Sequence, residues 1–388
     1  MKKLIILLFS ALVFGACTKE VPNPLLPDVS TFPVDAIKSF SLISPSTGSN
    51  VTVYKSDIIV SIDWSDSEGA TMYEWVADLQ TGDFSTPKLV VPADNNGKDS
   101  KLTLTYTQLD DALAAAGVKL DESVDYKWSV RAKTGSTIKL ATTPRNITLK
   151  REGPVDVTFS VAVPANTPAS YEVYFAGEFG FITGDNWQEP GSTQSQKLKF
   201  TKNANGTYSL TLSLFRGKSF EYKYFIAPAG GTSWGNGERF PNSNGVGTNG
   251  PPNRKFTFSG SNRNVNHAVS FWEGYDYDYV MYDLTAPANT PADRYVFVAG
   301  QFNKIGAAPS EWQQPGTNPT LVMTNSSGQK YFIVFPKPAS NVSLEYKYFV
   351  SSTSSPTWDN GSEGSNKVFN FTGSNLVQSD VVNSWSNL

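Results

Sequence analysis

The chain contains many short segments in which apolar and polar residues alternate, bounded by turn residues such as Gly, Asp and Ser. Successive side chains of a β-strand point to opposite faces, so this alternation predicts half-buried strands packed into sheets. The clearest segments are Ile58–Trp64, Met72–Ala77, Tyr126–Arg131, Val157–Val161, Tyr171–Phe175, Phe220–Ile226, Val265–Val269 and Asp380–Asn383. We therefore expect an all-β protein made of antiparallel sandwiches.

One segment of the N-terminal part has helical spacing instead. It runs from Thr107 to Ala116 and is the one clear helix that the sequence predicts. Thr107 is the predicted N-cap, because a Thr hydroxyl can accept a hydrogen bond from an unpaired backbone N–H. Gly117 is the predicted C-terminal stop.

Residues 155–272 and 278–385 contain nearly the same sequence twice. The agreement is strongest at aromatic, Asn and Lys positions rather than at groups typical of catalysis. Two copies of a binding module raise the avidity for a polymer without any new contact, so the repeat favours a binding platform. The matched motifs are Pro-Ala-Asn-Thr-Pro (164–168 and 287–291), Ala-Gly-Glu/Gln-Phe (176–179 and 299–302), Trp-Gln-Glu/Gln-Pro-Gly (187–191 and 312–316), Glu-Tyr-Lys-Tyr-Phe (221–225 and 345–349) and Trp-Gly/Asp-Asn-Gly (234–237 and 358–361).

The nine tryptophans fall evenly into three parts of the chain. At 388 residues the chain is too long for a single hydrophobic core. We predict an N-terminal domain at 36–152, a first module at 153–276 and a second module at 277–388. The run Asp276 to Tyr279 lacks the spacing of a calcium loop and is interpreted as the joint between the modules.

The local sequence around each tryptophan predicts two different roles. Those in strand patterns or at a module's end are predicted to pack in the cores; they are Trp64, Trp75, Trp128, Trp272 and Trp385. The others adjoin Gly, Pro and Asn, which is typical of loops; they are Trp187, Trp234, Trp312 and Trp358. An exposed indole can stack on the apolar face of a sugar ring, so these four predict glycan-binding platforms. The alternative is that they line the rim of a core.

Alternation within Phe220–Ile226 assigns Phe220, Tyr222, Tyr224 and Ile226 to the core face. Lys223 then points outward, and Lys347 does the same in the second module.

Composition and charge exclude some classes of partner. Charged residues make up 17% of the chain, the formal net charge is -3 and the sequence pI is about 5.4. Nucleic-acid binding needs a basic stripe, and the sequence contains none.

The sequence also argues against an enzyme. His267 is the only histidine and Cys17 the only cysteine. A metal site made of several His or Cys ligands is therefore excluded, and a Ser-His-Asp triad would have to use His267. The second module has no histidine at the equivalent position, where Ser379 or Asp380 stands instead. Paired carboxylates remain chemically open, with Glu178, Asp185, Glu189 and Glu221 as candidates. However, Glu178 and Glu189 are matched by Gln301 and Gln314 in the other copy. We predict a non-catalytic protein without cofactor or metal.

The N-terminus has the pattern of an export signal. Two lysines precede the apolar stretch Leu4–Phe14, and Gly15-Ala16-Cys17 follows. The apolar stretch is too short to span a membrane, and a signal peptide at 1–17 is predicted. Residues 18–35 contain four prolines and predict a semi-rigid tether.

The segment ending at Cys17 resembles the lipobox of bacterial lipoproteins, although Phe14 replaces the usual Leu. The resemblance implies that Cys17 is lipidated; the alternative is a plain secretory signal. Signal, tether, the helix segment Leu109–Gly117 and two β-modules in this order resemble the SusE/SusF family of Bacteroidetes surface glycan-binding lipoproteins. That resemblance implies an immunoglobulin-like N-terminal domain, anchorage at the outer membrane facing the cell surface, and a SusC/SusD-type importer and a surface glycoside hydrolase as partners.

The two modules also resemble the starch-binding modules of glucoamylases. In that family two indoles hold a curved α-glucan while Lys and Asn bond its hydroxyls. The matching residues are Trp187, Lys223, Trp234 and Asn253 in the first module and Trp312, Lys347, Trp358 and Asn366 in the second. The acidic residue that usually follows the second Trp is Gly235 in the first copy and Asp359 in the second. The inserted segment 238–252, which contains Phe240, is expected to reshape or partly cover the first site.

The resemblance therefore implies a lipoprotein that captures starch-like α-glucan for an uptake system. Two alternatives stay open. The bound polymer could be a β-glucan or another plant or algal polysaccharide. A protein of another class, a structural or protein-docking lipoprotein with buried tryptophans, would also fit the sequence.

Overall fold

A computed structural model describes residues 37–353 and 355–388. Strands dominate it and form several sandwich-like sheets, which confirms the predicted all-β, multi-domain fold. The predictions for the signal peptide, Cys17 and the tether at 18–35 lie outside the described residues. Within those described ranges, no helix has the length and apolar character needed to cross a membrane.

The N-terminal domain packs two sheets around a core that contains its three tryptophans. The exposed fractions of Trp64, Trp75 and Trp128 are 2%, 1% and 0%, which confirms their predicted core role. One sheet has the strand order Leu42–Ser44, Ile59–Trp64, Lys101–Thr105. The other has the order Ser49–Val53, Arg145–Arg151, Ser123–Thr134, Met72–Leu79, Leu89–Pro92, with Thr137–Leu140 paired to Ser123–Thr134 and a short turn at Asp94–Gly97.

The helix of this domain spans Tyr106–Ala115, so the predicted N-cap at Thr107 is wrong. Thr105 is the cap: its side chain accepts from the Gln108 N–H at 3.1 Å, and the Gln108 side chain accepts from the Thr105 N–H at 2.8 Å. This reciprocal pair satisfies two backbone donors at once, which a single Thr hydroxyl cannot do. Gly117 has φ 89°, as a glycine stop requires.

The two modules share one topology. Each module has a four-stranded sheet that faces a three-stranded antiparallel sheet. In the four-stranded sheet, the strand that comes first along the chain pairs in parallel with the strand that comes last. The first module has the sheets Thr201–Lys202, Tyr208–Leu214, Val155–Ala162, Asn264–Ala268 and Tyr171–Gly177, Ser219–Pro228, Arg254–Thr257. The second has Thr324–Ser327, Lys330–Pro336, Tyr279–Thr285, Val377–Val381 and Tyr295–Gly300, Val342–Ser351, Lys367–Phe371. Short helical turns lie at Gly180–Thr183, Gln194–Leu198, Phe302–Ile305 and Pro319–Leu321.

The last tryptophan of each module closes its core, as predicted. Trp272 and Trp385 are 0% and 2% exposed. Each indole N–H donates to a threonine hydroxyl oxygen, Trp272 to Thr167 at 2.8 Å and Trp385 to Thr290 at 2.9 Å. These threonines belong to the repeated Pro-Ala-Asn-Thr-Pro motif, so in both modules this motif supplies the acceptor that a buried indole requires.

The inserted segment of the first module packs against the second module. It forms the strands Glu238–Pro241 and Thr248–Asn249, with Glu238–Pro241 also paired to Phe271–Trp272. The Phe240 ring meets the Phe332 ring edge-on at 4.9 Å between centroids, and the Tyr279 hydroxyl donates to the Gly247 carbonyl at 2.8 Å. The segment therefore bridges the modules. Its expected effect on the first site stays a prediction. Tyr279, the last residue of the run Asp276 to Tyr279, thus contacts the inserted segment directly.

A second contact fixes the modules on each other. The Tyr295 hydroxyl of the second module accepts from the Asn266 N–H at 3.1 Å and donates to the Asn264 carbonyl at 3.2 Å. Both partners lie at the last long strand of the first module, so hydrogen bonds as well as apolar packing hold the pair together.

Removing the Phe240 ring tests this interface. In Phe240→Ala the second module loses apolar burial against Phe332, so we expect the opening free energy of strand Lys330–Pro336 to fall by about 1–2 kcal/mol. Hydrogen exchange of that strand measures it. Phe181→Ala is the matched control, since the Phe181 ring is 44% exposed and contacts Phe179, Phe220 and Lys218 of its own module. Equal protection of the strand in both variants would contradict the interface.

Candidate functional site

The central strand of each three-stranded sheet separates a core face from an outer face. In Ser219–Pro228 the core-facing side chains are almost fully buried, as predicted; they are Phe220, Tyr222, Tyr224 and Ile226. The outer face carries Glu221, Lys223 and Phe225. The second module repeats this with Leu344, Tyr346, Tyr348 and Val350 inside and Glu345, Lys347 and Phe349 outside.

The first loop tryptophan of each module has an unusual backbone. Trp187 and Trp312 have φ values of 52° and 46°, in the left-handed region that residues other than Gly seldom adopt. Their N–H groups donate to the carbonyls of Gly177 at 2.6 Å and Gly300 at 2.8 Å, at the ends of the neighbouring strands. Such a conformation persists only where its surroundings impose it, and it occurs here at matched positions. Both loops therefore hold a partly exposed indole beside the sheet.

The second loop tryptophan of each module rests on the outer face of the sheet. The Trp234 ring meets the Phe225 ring edge-on at 5.3 Å, and the Trp358 ring meets the Phe349 ring at 5.2 Å. The indoles are 44% and 41% exposed, so the phenylalanines support one edge and leave much of each ring open. Sequence analysis missed both phenylalanines, although they end the repeated Glu-Tyr-Lys-Tyr-Phe motif.

A glycine makes room for each supporting ring. A Cβ atom at Gly237 or at Gly361 would lie 2.9 Å from the Cε1 atom of Phe225 or Phe349. That distance is too short for two carbon atoms, so the third position after each exposed tryptophan needs Gly.

Hydrogen bonds bring the two tryptophan loops of each module together. In the first module the Ser233 N–H donates to the Pro190 carbonyl at 3.1 Å. The loops approach so closely there that a Cβ atom at Gly191 would lie 1.9 Å from the carbonyl oxygen of Gly231. In the second module the Ser351 hydroxyl donates to the Pro315 carbonyl at 3.0 Å. Residues that are distant in sequence, Trp187 with Trp234 and Trp312 with Trp358, thus lie on adjoining loops.

The predicted Lys and Asn of the first module lie next to each other on the sheet. The ladder ends with Tyr222 paired to Arg254. Lys223 and Asn253, the residue just before strand Arg254–Thr257, are therefore the next residues beyond this pair. Asn253 Nδ2 donates to Glu221 Oε2 at 3.1 Å. Lys223 Nζ has no hydrogen-bond or ion-pair partner within 37–353 and 355–388, so it can donate to a ligand.

The second module has the same placement but different partners. Its ladder pairs Tyr346 with Lys367, which puts Lys347 beside Asn366. Lys347 Nζ donates to the Gly364 carbonyl at 2.9 Å, so this ammonium group is oriented in advance. In the first module a hydrogen bond therefore orients the Asn253 amide, whereas in the second a hydrogen bond orients the Lys347 ammonium group.

One of the carboxylates considered for catalysis has a structural partner that an amide supplies in the other module. Glu178 Oε2 accepts from the Glu221 N–H at 2.8 Å, and Gln301 Oε1 accepts from the Glu345 N–H at 3.2 Å. An amide and a carboxylate thus do the same structural work at equivalent positions. In the described part of the chain, no three His, Cys, Asp or Glu side chains are grouped as metal ligands.

Beneath each three-stranded sheet, two tyrosine hydroxyls share one acceptor. Tyr222 and Tyr224 hydroxyls lie 3.4 and 2.9 Å from His267 Nδ1. In the second module Tyr346 and Tyr348 hydroxyls donate to Asp380 Oδ2 at 2.6 and 2.9 Å; Asp380 is thus the counterpart of His267. Buried hydroxyls require such partners, so the acceptor fixes the strand that carries Lys223 or Lys347.

The charges around the two acceptors are balanced differently. Arg254 forms a buried ion pair with Glu238 at 2.8 Å, whereas Lys367 pairs directly with Asp380 at 3.2 Å. Burial, and then the positive charge of Arg254, lower the pKa of His267 well below its usual range. His267 is therefore neutral in the folded protein, and its Nδ1 lies within hydrogen-bond distance of both tyrosine hydroxyls.

Comparisons with known proteins give only remote likenesses. No protein-family model and no curated protein matches the chain. A Hypocrea jecorina glycoside hydrolase family 15 glucoamylase is similar over 28% of this chain and 17% of its own, with 15% identity and a TM-score of 0.22. The Bacteroides ovatus mixed-linkage glucan utilization locus protein SGBP-B, solved with a mixed-linkage heptasaccharide, is similar over 89% of this chain and 71% of its own, with 8% identity and a TM-score of 0.17.

A γ-CGTase from alkalophilic Bacillus clarkii is similar over 76% of this chain and 47% of its own, with 12% identity and a TM-score of 0.20. The chain thus spans less than a fifth of the glucoamylase and under half of the CGTase. At such TM-scores the likenesses carry no functional argument, which must come from the residues themselves.

The neutral His267 predicts acid sensitivity of the first module. Because its folded pKa is lowered, the unfolded chain binds the proton more tightly. Stability is therefore complete above about pH 6.5, the usual His pKa, and falls with decreasing pH by up to about 1.4 kcal/mol per unit. Hydrogen exchange of Ser219–Pro228 between pH 7.5 and 5.5 measures the loss.

His267→Gln retains a hydrogen-bond acceptor without a titrating group. In this variant we expect the opening free energy of Ser219–Pro228 to become nearly independent of pH over that range. Strand Val342–Ser351, which rests on Asp380, is the internal reference. An unchanged pH dependence in the variant would refute the role of His267.

Proposed function

We propose that this protein is a non-catalytic, lipid-anchored surface protein that captures a starch-like α-glucan and holds it for an outer-membrane uptake system. Trp187, Trp234, Trp312 and Trp358 stack on the sugar rings. Lys223 and Asn253, with Lys347 and Asn366 in the second module, bond the sugar hydroxyls. A SusC/SusD-type importer and a surface glycoside hydrolase are the proposed partners.

The exposure of the four loop indoles carries the proposal. The five other tryptophans are at most 2% exposed, whereas Trp234 and Trp358 are 44% and 41% exposed and Trp187 and Trp312 are partly exposed. Leaving large apolar rings in water costs free energy, and here it occurs twice at matched places. A ligand that covers the rings accounts for this cost, because stacking on sugar returns them to an apolar contact.

Polar groups beside the indoles support a carbohydrate over an apolar ligand. Lys223 has a free ammonium group, and Asn253 and Asn366 lie exposed next to the lysines. Sugar hydroxyls need such donors and acceptors around an aromatic surface. The choice of α-glucan rests on the resemblance of these eight positions to starch-binding modules.

Two sites on one chain account for useful affinity. Each stacked indole contributes on the order of 1–3 kcal/mol as a binding hot spot, so a single module binds weakly. Once one module holds a polymer, the other meets it at a raised effective concentration. The packing of the modules on each other also removes the cost of fixing their orientation.

Affinity gel electrophoresis against amylopectin, laminarin and xyloglucan tests the function. We expect amylopectin alone to retard the protein, the Trp187→Ala/Trp234→Ala and Trp312→Ala/Trp358→Ala variants to bind each about tenfold or more weakly, and the quadruple variant to lose binding. Ile59→Ala is the matched control, since Ile59 is 63% exposed on the N-terminal domain.

Other results separate the alternatives. Retardation by laminarin or xyloglucan in place of amylopectin would keep the indole platforms and reject the α-glucan. If no polysaccharide retards the protein, the glycan function fails and a protein-docking role takes its place.

A further inference from the structure

A cleft of ≈ 580 Å³ lies between the two modules. The first module contributes Asn205 and Thr207 from the turn between strands Thr201–Lys202 and Tyr208–Leu214. The second contributes Gln313, Gln314 and Thr317 from the segment that follows Trp312. Every described side chain that lines the cleft is uncharged. Its volume lies within the range of about 300–1,000 Å³ found for small-molecule sites.

The cleft adjoins the loops that carry the second module's indoles. Gln313 follows Trp312 directly, and Gln314 Nε2 donates to the Pro356 carbonyl at 3.2 Å. Pro356 precedes Trp358 by two residues. Gln314 thus lines the cleft and also joins the two tryptophan loops, so a chain bound on the indoles can continue into the cleft.

The lining offers hydrogen-bonding groups that neutral sugars use. Asn205 Oδ1 accepts from the Thr207 N–H at 3.1 Å and from its hydroxyl at 2.7 Å. This fixes the Asn205 amide, while its Nδ2 has no partner in the described ranges. Gln314 Oε1 is likewise unpaired there and can accept. Fixed neutral donors and acceptors match hydroxyl groups without the desolvation cost of a charge.

The cleft persists because the modules are packed together. Phe240 against Phe332 and Tyr295 against Asn264 hold the two halves in register. A ligand therefore meets a preformed surface and does not bear the entropy of assembling it.

We propose that this cleft extends the second module's site, so that the first module binds part of the same neutral oligosaccharide through Asn205. The inference rests on the proposed function. Short oligosaccharides occupy only the indoles of the second module, and longer ones also reach the Asn205 amide. The second site is then complete only when both modules are present and docked.

Asn205→Asp tests the proposal in a chain that also carries Trp187→Ala and Trp234→Ala, so that only the second module is read. Aspartate keeps the Oδ1 acceptor that organises the turn and removes the Nδ2 donor. We expect maltoheptaose binding, measured by calorimetry, to weaken about three- to tenfold while maltotriose binding is unchanged. Asn244→Asp is the matched control, since Asn244 Oδ1 accepts from the Val246 N–H at 3.0 Å in a similar exposed turn.

The outcomes separate the two proposals. If Asn205→Asp binds maltoheptaose as tightly as its parent chain, the cleft takes no part and the proposed function stands. An equal loss for maltotriose or in Asn244→Asp would also overturn the extension, because it would reflect added charge alone. If the parent chain with Asn205 intact binds neither oligosaccharide, the α-glucan site of the second module fails, and the extension fails with it.

Discussion

The central strand of each three-stranded sheet has to place two tyrosines in the core while its other face stays open. Strict alternation achieves this in Ser219–Pro228 and in Val342–Ser351. The hydroxyl groups of the tyrosines then need one acceptor beneath the sheet, His267 in the first module and Asp380 in the second. With that acceptor in place the strand cannot slip, since a shift by one residue would bury Lys223 and expose the tyrosines.

The two modules meet this requirement with different chemistry. A neutral imidazole serves in the first, and Arg254 is neutralised separately by Glu238. In the second, a carboxylate serves and Lys367 neutralises it directly. The geometry of the outer face is the same in both, although the charges beneath it differ. Repetition has therefore preserved the position of hydrogen-bond partners more closely than the residue types that supply them.

The exposed surface depends on this buried layer. Phe225 and Phe349 lie on the outer face of the same strands and support the exposed indoles, and Gly237 and Gly361 leave space for their rings. The polar positions follow from the same register. The packing of the two modules on each other also creates the cleft at Asn205, which neither module has alone. The Phe240 segment, present only in the first module, is central to that docking.

Sequence alone determined whatever depends on local period and on repetition. Alternation located the strands of the cores, and the contrast between strand and turn surroundings separated buried from exposed tryptophans, because one face of a strand must be buried and a Gly- and Pro-rich turn usually is not. Comparison of the copies matched Lys223 with Lys347, and the resemblance to starch-binding modules added Asn253 and Asn366. The strand ladders of the folded modules then placed each Asn beside its Lys.

Only the tertiary structure decided which distant residues meet. The N-cap at Thr105 depended on a reciprocal bond that spacing alone did not single out. The match of His267 with Asp380 could not be read from residue type, since imidazole and carboxylate have little in common except the ability to accept. The bridging role of residues 238–252 and the cleft at Asn205 depend on how two folded modules pack. Such packing depends on how two folded surfaces fit together. The residues of those surfaces have no regular spacing along the chain, so no sequence pattern marks them.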